Sequence, residues 1–151
     1  MNAPASRFQP KDPSYAERVR ASFARQKAME LIGARLTSVA PGATEVRLAY
    51  RDDLTQQKGY VHGGILGMIA DSACGYAAYS LMPATGSLVT VEYKINILAP
   101  ARGDLVARGE VIRPGRTLSV TRAEVYDGQG THVASMQQTL MALPDTPDTP
   151  E

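Results

Sequence analysis

A single charged side chain, that of Asp71, lies within a long apolar stretch of this sequence. No other Asp, Glu, Lys or Arg, and no His, occurs between Gly63 and Val91. A carboxylate in apolar surroundings costs free energy unless it is paired, hydrogen-bonded or used in catalysis. Asp71 is therefore either a brace for a neighbouring element or a reacting group, and the residues around it indicate which.

The motif His62-Gly63-Gly64 stands just before this stretch, where a loop is expected to become a helix. The first backbone N–H groups of a helix have no acceptor within it and carry partial positive charge. They can polarise a carbonyl oxygen, and glycine allows a substrate to approach the backbone closely. The motif predicts an oxyanion-binding helix start, with Gly64 as a substrate contact.

Asp71 and Gly63 are too far apart to act on one carbonyl within a single chain. Asp71 comes eight residues after Gly63, which is about 12 Å along a helix axis. A base or nucleophile must lie about 3 Å from the atom that it serves. The two residues can cooperate only from different copies of the helix, so we predict an antiparallel homodimer with two equivalent sites.

The elements that position these residues follow from periodicity and turn signals. Ser14 and Glu17 have capping-box spacing, and Tyr15, Val19 and Phe23 then recur at helical spacing, which predicts an N-terminal helix facing the body. A second helix is predicted over 64–81, apolar all round and closed by a proline. Strands are predicted over 34–40, 44–50, 88–98, 104–112, 117–126 and 132–143.

This order of elements predicts an α+β fold, in which a curved antiparallel sheet of five to six strands wraps a long central helix. We expect a flexible arm over 1–13, a single domain over 14–143 and a disordered, proline-rich tail over 144–151. A second subunit could cover whatever part of the central helix the sheet leaves open.

Composition excludes several classes of function. The 151 residues include 16 Lys plus Arg and 15 Asp plus Glu, so the formal charge of +1 creates no field that would attract nucleic acid or anionic lipid. One cysteine cannot form an internal disulfide, and no apolar segment reaches the roughly 20 residues that span a bilayer. Since the N-terminal residues also lack a signal-like stretch, we expect a soluble cytoplasmic protein.

Two segments closely resemble the PaaI-like thioesterases of the hotdog fold. They are QQKGYVHGG at residues 56–64, followed by Asp71, and TVEYKIN at residues 90–96; the resemblance extends from about Leu31 to Leu143. HGG alone is a weak signal, but its spacing to the acid is fairly specific. The resemblance implies a hotdog fold, a homodimer that can pair into a tetramer, and hydrolysis of acyl-CoA thioesters.

The resemblance also implies roles for individual residues. Gly63 would polarise the carbonyl oxygen through its N–H, and Asp71 would be the nucleophile or the base that activates water. Gln56, where the family often has Asn, would orient the water or the carbonyl. Thr90 would support the attacking water, although strict strand alternation groups it with a polar face of the strand. His62 is expected to fix the loop.

Basic and aromatic residues are the candidates for substrate contacts. The phosphates of coenzyme A need local positive charge, and Arg116 is the first candidate, with Arg113 and Lys94 as further ones. Tyr76 could line an acyl or aryl pocket, although packing is the default for a tyrosine on a buried helix. A thioester has a good leaving group, so we expect neither a metal nor a redox cofactor.

Other interpretations remain open at this point. The chain could bind acyl-CoA as a sensor or carrier without hydrolysing it; retention of Asp71 favours the enzyme. A hotdog dehydratase would need a catalytic His in place of HGG. Cys74 is more typical of a small core residue than of a nucleophile. A zinc site built from Cys74, His62 and His132 lacks the usual ligand spacing.

Overall fold

The computed structural model describes residues 7–149. Its helices are α1 (Tyr15–Ala24), α2 (Lys27–Ile32) and α3 (Gly63–Tyr79), and its strands are β1 (Ala34–Ala40), β2 (Ala43–Leu48), β3 (Ser87–Ile97), β4 (Leu105–Arg113), β5 (Leu118–Asp127) and β6 (His132–Leu143). A short 3₁₀ turn, Asp52–Leu54, lies in the loop before α3. Within the described residues, no helix is long and apolar enough to cross a membrane.

The six strands form one antiparallel sheet in the order β1-β2-β4-β5-β6-β3. Inward side chains of the strands, such as Val46, Ala107, Val125 and Met136, enclose α3 in a continuous hydrophobic core. The predicted α+β architecture is therefore confirmed, with six strands around a central helix. The N-terminal region contains α1 and α2, where one helix was predicted.

Glycine and alanine let the sheet pass very close to α3. A Cβ added to Gly109 on β4 would lie 2.4 Å from the carbonyl carbon and oxygen of Ala73. On the neighbouring strand, the buried hydroxyl of Thr44 donates to the same carbonyl oxygen at 2.7 Å. These contacts fix where α3 lies along β2 and β4, and hence which of its side chains face the open side.

One stripe of α3 is not covered by the sheet of its own chain. Gly64, Met68, Asp71 and Gly75 are partly or fully exposed, while most of the helix between them is buried. The spacing of four, three and four residues places them on one helix face. The prediction of a helix buried all round is thus correct except along this face, which contains Asp71.

The start of α1 differs from the predicted capping box. Ser14 is the N-cap residue, but its side chain makes no capping hydrogen bond. Asp12 takes that role: its Oδ1 accepts from Ser14 N at 2.9 Å and its Oδ2 accepts from Arg18 Nε at 2.8 Å. The hydrogen bond from the Ser14 backbone and the Arg18 guanidinium lower the pKa of Asp12 despite its burial.

The described parts of the predicted arm and tail contact the domain. Arg7 donates to the carbonyl oxygens of Val111 and Ile112. At the other end, Asp148 accepts hydrogen bonds from Ser22 and Arg25 on α1. A flexible arm and a disordered tail were expected because both segments are polar and rich in proline; in residues 7–13 and 144–148, ionic and backbone hydrogen bonds provide the anchoring instead.

Candidate active site

Asp71 is partly exposed on α3, and one of its two carboxylate oxygens is held by two donors. Oδ1 accepts from Thr90 Oγ1 at 2.8 Å and from Gln138 Nε2 at 2.6 Å. Gln138 Nε2 also donates to Thr90 Oγ1 at 2.8 Å, which closes a triangle of three side chains. Within residues 7–149 no hydrogen bond is made to Oδ2. The carboxylate is thus fixed in orientation through Oδ1, and Oδ2 has no hydrogen-bond partner among the described residues.

A β-bulge explains how Thr90 reaches Asp71. Thr90 pairs with Leu140 on β6 and Glu92 pairs with Thr139, so that Val91 is left out of the register. The extra residue breaks the alternation of side chains along β3. Thr90 consequently points toward α3, while Glu92 accepts a hydrogen bond from Thr139 on the other face. The expectation from strict alternation, a shared face for Thr90 and Glu92, is wrong for this reason.

Gln138 belongs to the site but was not identified from the sequence. Its side chain is fully buried, and it lies in phase with Met136 and Leu140, whose side chains also point inward from β6. Its Oε1 has no hydrogen-bond partner within the described residues. A polar side chain at an inward position of a buried strand is costly. A glutamine at an inward position of β6 was therefore the signal in the sequence that could have identified this residue. In the structure Gln138 orients Asp71.

A pocket of about 160 Å³ opens beside Asp71. Its walls come from α1, the α1–α2 link, α3, β3 and the C-terminal segment. Together with Asp71, the lining residues are Ser22, Gln26, Ser72, Gly75, Tyr76, Tyr79, Leu88, Thr90 and Asp148. Tyr76 packs edge-on against Tyr79 and Phe23. Burial raises the pKa of Tyr76 to about 12, so its hydroxyl stays protonated at neutral pH.

The N-terminus of α3 has one unused backbone donor. His62 is the N-cap residue, and its Nδ1 accepts from Gly64 N at 2.8 Å. The N–H groups of Ile65 and Leu66 donate to the carbonyl oxygen of His62. Within the described chain no acceptor contacts the N–H of Gly63. The N–H of Gly63 is therefore the one open donor among the first four of this helix, and it is the donor that the sequence motif indicated.

The other candidate residues lie apart from Asp71. The Gln56 side chain accepts a hydrogen bond from Lys58 N within its own loop. Lys94 is exposed and donates to Asn96 Oδ1, on the outer face of β3. Arg113, the last residue of β4, and Arg116, in the β4–β5 turn, are both exposed.

The β4–β5 turn nevertheless lies at the same end of the sheet as Thr90. Leu118 pairs with Met141, and Met141 pairs with Val89. This register places the turn about 10 Å across the sheet from the start of β3, because neighbouring strands are about 4.8 Å apart. Arg113 and Arg116 are therefore the basic candidates whose position along the sheet matches that of the Asp71 pocket.

Cys74 is fully buried one turn beyond Asp71. Burial raises the pKa of its thiol to about 12, so the nucleophilic thiolate is strongly disfavoured. In the part of the chain that the structure describes, no three His, Cys, Asp or Glu side chains cluster as metal ligands would.

The family model described as the thioesterase superfamily matches residues 58–134. The chain belongs to the thioesterase superfamily. The crystal structure of a thioesterase family protein from Silicibacter pomeroyi is 47% identical, with a TM-score of 0.83 over 86% of this chain and 98% of that one. A 1,4-dihydroxy-2-naphthoyl-CoA hydrolase from Listeria monocytogenes is 29% identical over 99 residues, which are 65% of this chain and 80% of the relative.

The PaaI protein from the E. coli phenylacetic acid degradation operon is similar in fold. It is 21% identical, with a TM-score of 0.82 over 88% of this chain and 96% of that one. Together these similarities confirm the predicted hotdog fold, which the chain shares with PaaI, and its membership of the thioesterase superfamily. They also identify the chain as a thioester hydrolase.

Proposed function

We propose that this protein hydrolyses an acyl-CoA thioester to the free acid and coenzyme A, with Asp71 as the reacting carboxylate. The observation that carries the proposal is the Asp71 carboxylate itself. Thr90 and Gln138 hold Oδ1, and Oδ2 is left without a partner among the described residues, beside a pocket. This arrangement fixes the carboxylate and leaves Oδ2 accessible from the pocket, as a general base or nucleophile requires.

The chemistry needs few groups because a thioester carbonyl is electrophilic and a thiolate leaves readily. Negative charge develops on the carbonyl oxygen, and a backbone N–H aimed at that oxygen stabilises the transition state. The open N–H of Gly63 is suited to this. Asp71 Oδ2 either takes a proton from water, whose oxygen bonds to the carbonyl carbon, or attacks that carbon itself to give an anhydride that water then opens. In both routes the C–S bond breaks and the thiolate is protonated.

Direct attack by Asp71 can be detected with oxygen isotopes. After many turnovers in ¹⁸O-labelled water, an anhydride opened at its aspartyl carbon leaves label in Asp71, and mass spectrometry of the peptide containing it detects the label. A general base acquires none, and neither does an anhydride opened at the acyl carbon, so label in Asp71 identifies the covalent route.

We propose further that each active site is shared between two subunits. Gly63 and Asp71 lie on one helix, about 12 Å apart along its axis. β3 is an edge strand with exposed apolar side chains, Val89, Val91, Tyr93 and Ile97 among them. Exposed edges and apolar patches of this kind are typical of interfaces. Pairing of two β3 edges would bring the uncovered stripes of two α3 helices side by side.

Recognition of coenzyme A is assigned to basic residues near the pocket. Arg116 is exposed at the end of the sheet that holds Thr90, where a guanidinium could pair with a phosphate. The Listeria relative, named as a 1,4-dihydroxy-2-naphthoyl-CoA hydrolase, supports a coenzyme A thioester as the substrate class.

The test is thiol release from a panel of short, medium, long and aryl acyl-CoAs, by the protein and by Asp71→Asn. Asparagine keeps an oxygen that Thr90 and Gln138 can hold, so the fold should be retained. Removing a general base or nucleophile should lower kcat by about 10²–10⁴-fold. If Asp71→Asn is as fast as the parent, the role of Asp71 is refuted. If the folded parent binds acyl-CoA but releases no thiol, the protein is a binding module instead.

A further inference from the structure

The pocket beside Asp71 ends in a chain of hydrogen bonds that joins α3, α1 and the C-terminal segment. The hydroxyl of Tyr76 lies 3.0 Å from Ser22 Oγ. Ser22 Oγ in turn donates to Asp148 Oδ2. Arg25 holds Asp148 through its guanidinium, which lies 2.9 Å from Oδ2 and donates to the Asp148 carbonyl oxygen at 2.7 Å. Tyr76, Ser22 and Asp148 all line the pocket.

The direction of this chain follows from the chemistry of its end. A carboxylate paired with a guanidinium is ionised and only accepts hydrogen bonds. The single hydroxyl proton of Ser22 is therefore committed to Asp148. Ser22 Oγ can then only accept from Tyr76, so the phenolic proton of Tyr76 points to Ser22. Toward the pocket, the Tyr76 oxygen can therefore only accept a hydrogen bond.

We infer that Tyr76 is a specificity-determining residue that accepts a hydrogen bond from a hydroxyl group on the acyl part of the substrate. The inference rests on the proposed function and adds a substrate class to it. Ser22 and Asp148 act through Tyr76 as positioning residues, since they fix which way its proton points. A buried acceptor discriminates strongly, because a substrate that offers no proton leaves it unpaired.

The position of Tyr76 limits where that hydroxyl can be. Tyr76 follows Asp71 by five residues, about 7.5 Å along the helix axis. Because Tyr76 lies beyond Asp71 along α3, we expect the substrate hydroxyl to lie several bonds away from the thioester, at the far end of a medium-length chain or across an aromatic ring. The ring faces of Tyr76 and Tyr79 and the side chain of Leu88 supply apolar walls for the part between.

Two matched substrate series test the inference. One is linear, with hexanoyl-, 6-hydroxyhexanoyl- and 6-methoxyhexanoyl-CoA; the other is aromatic, with benzoyl-, 4-hydroxybenzoyl- and 4-methoxybenzoyl-CoA. We expect kcat/KM for the hydroxylated member of at least one series to exceed that of its methoxy and unsubstituted partners by about tenfold, the value of one hydrogen bond. The measured quantity is this ratio.

Variants then locate the source of the preference. Tyr76→Phe should bring the ratio to about one, because the acceptor is gone. Asp148→Asn should lower it, because an amide can also donate and no longer commits the Ser22 proton. Tyr79→Phe is the matched control: it removes a pocket tyrosine hydroxyl outside the chain of hydrogen bonds and should keep the ratio.

The possible failures are distinguishable. Equal kcat/KM for hydroxylated and methoxylated substrates, or a preference that survives in Tyr76→Phe, would overturn the inference while leaving thioester hydrolysis intact. If none of the six thioesters is hydrolysed by folded protein, the proposed function fails, and the substrate class fails with it.

Discussion

At the scale of single residues, the N–H of Gly63 can be removed without disturbing the rest of the helix start. Gly63 is the first residue of α3, a position that proline favours. His62 has φ −62° and ψ 136°, a conformation that suits a residue before proline. A Cβ at Gly63 would meet only Ile97, at 3.8 Å. The backbone therefore accepts both alanine and proline at this position.

We expect Gly63→Pro to lower kcat by about 10²–10³-fold through loss of an oxyanion donor. Gly63→Ala adds a Cβ but keeps the N–H, so it is the matched control for side-chain volume. Thiol release and thermal unfolding of both variants are the measurements. Equal activity of the two variants would show that the N–H is not used.

Gln138 offers a separate test, because it touches Asp71 and not the open oxygen. Gln138→Met removes the amide that donates to Asp71 Oδ1 at 2.6 Å and should lower kcat by about tenfold, because the carboxylate then loses one of the two donors that fix its orientation. Thiol release and thermal unfolding of the variant are the measurements. A folded Gln138→Met protein with the activity of the parent would show that Gln138 does not position Asp71.

At the scale of elements, the close passage of β4 over α3 predicts where the fold is least tolerant. An added Cβ at Gly109 would overlap the backbone at Ala73 and Cys74, so one of the two elements must shift. Gly109→Ala should cost about 1–3 kcal/mol in unfolding free energy, as overpacked cores do. Urea denaturation measures this.

Gly128→Ala is the control, since its Cβ would have neighbours only at ordinary contact distances of 3.7 and 3.8 Å. Its stability should stay close to that of the parent. An equal loss in both variants would mean that glycine is needed in general and that the close passage is not responsible.

The elements themselves were largely predictable from sequence. The helix predicted over 64–81 is Gly63–Tyr79, and the strand bounds agree within two residues, because proline and glycine mark the turns. The face of β3 on which Thr90 lies was not predictable. A bulge at Val91 changes the alternation of side chains along the strand, and no local sequence pattern predicts that bulge. Asp71 and Gly63 were predicted from their residue types and spacing, and Thr90 was predicted from the family resemblance.

The distal part of the pocket shows why the rest was missed. Ser22 and Asp148 are separated by 126 positions, and neither residue belongs to a recognisable motif in its own segment. Their meeting depends on the path of the C-terminal segment after β6. Local patterns report helices and turns, whereas this contact arises only after the whole sheet has formed.

At the scale of the whole molecule, a shared active site makes a distinctive prediction about mixed dimers. Asp71→Asn and Gly63→Pro subunits carry lesions in different halves of the proposed site. A heterodimer has one site with both lesions and one site with neither. By symmetry it should recover about half of the parent activity, although each homodimer is nearly inactive.

Co-expression with two different affinity tags and sequential purification would isolate such heterodimers. Mixed Asp71→Asn and Asp71→Ala subunits are the control, because every site then lacks the carboxylate. No recovery in verified Asp71→Asn/Gly63→Pro heterodimers would indicate that each site is built from one chain.

The burial of Cys74 has a practical consequence for all these assays. It is the single cysteine of the chain, and its thiol is enclosed in the core with a pKa raised to about 12. A colorimetric thiol reagent such as an aromatic disulfide should therefore react with liberated coenzyme A and leave the native protein untouched. Without substrate, the same reagent should react with a variant only when unfolding exposes the Cys74 thiol. One reagent therefore measures both turnover and the fraction of unfolded protein.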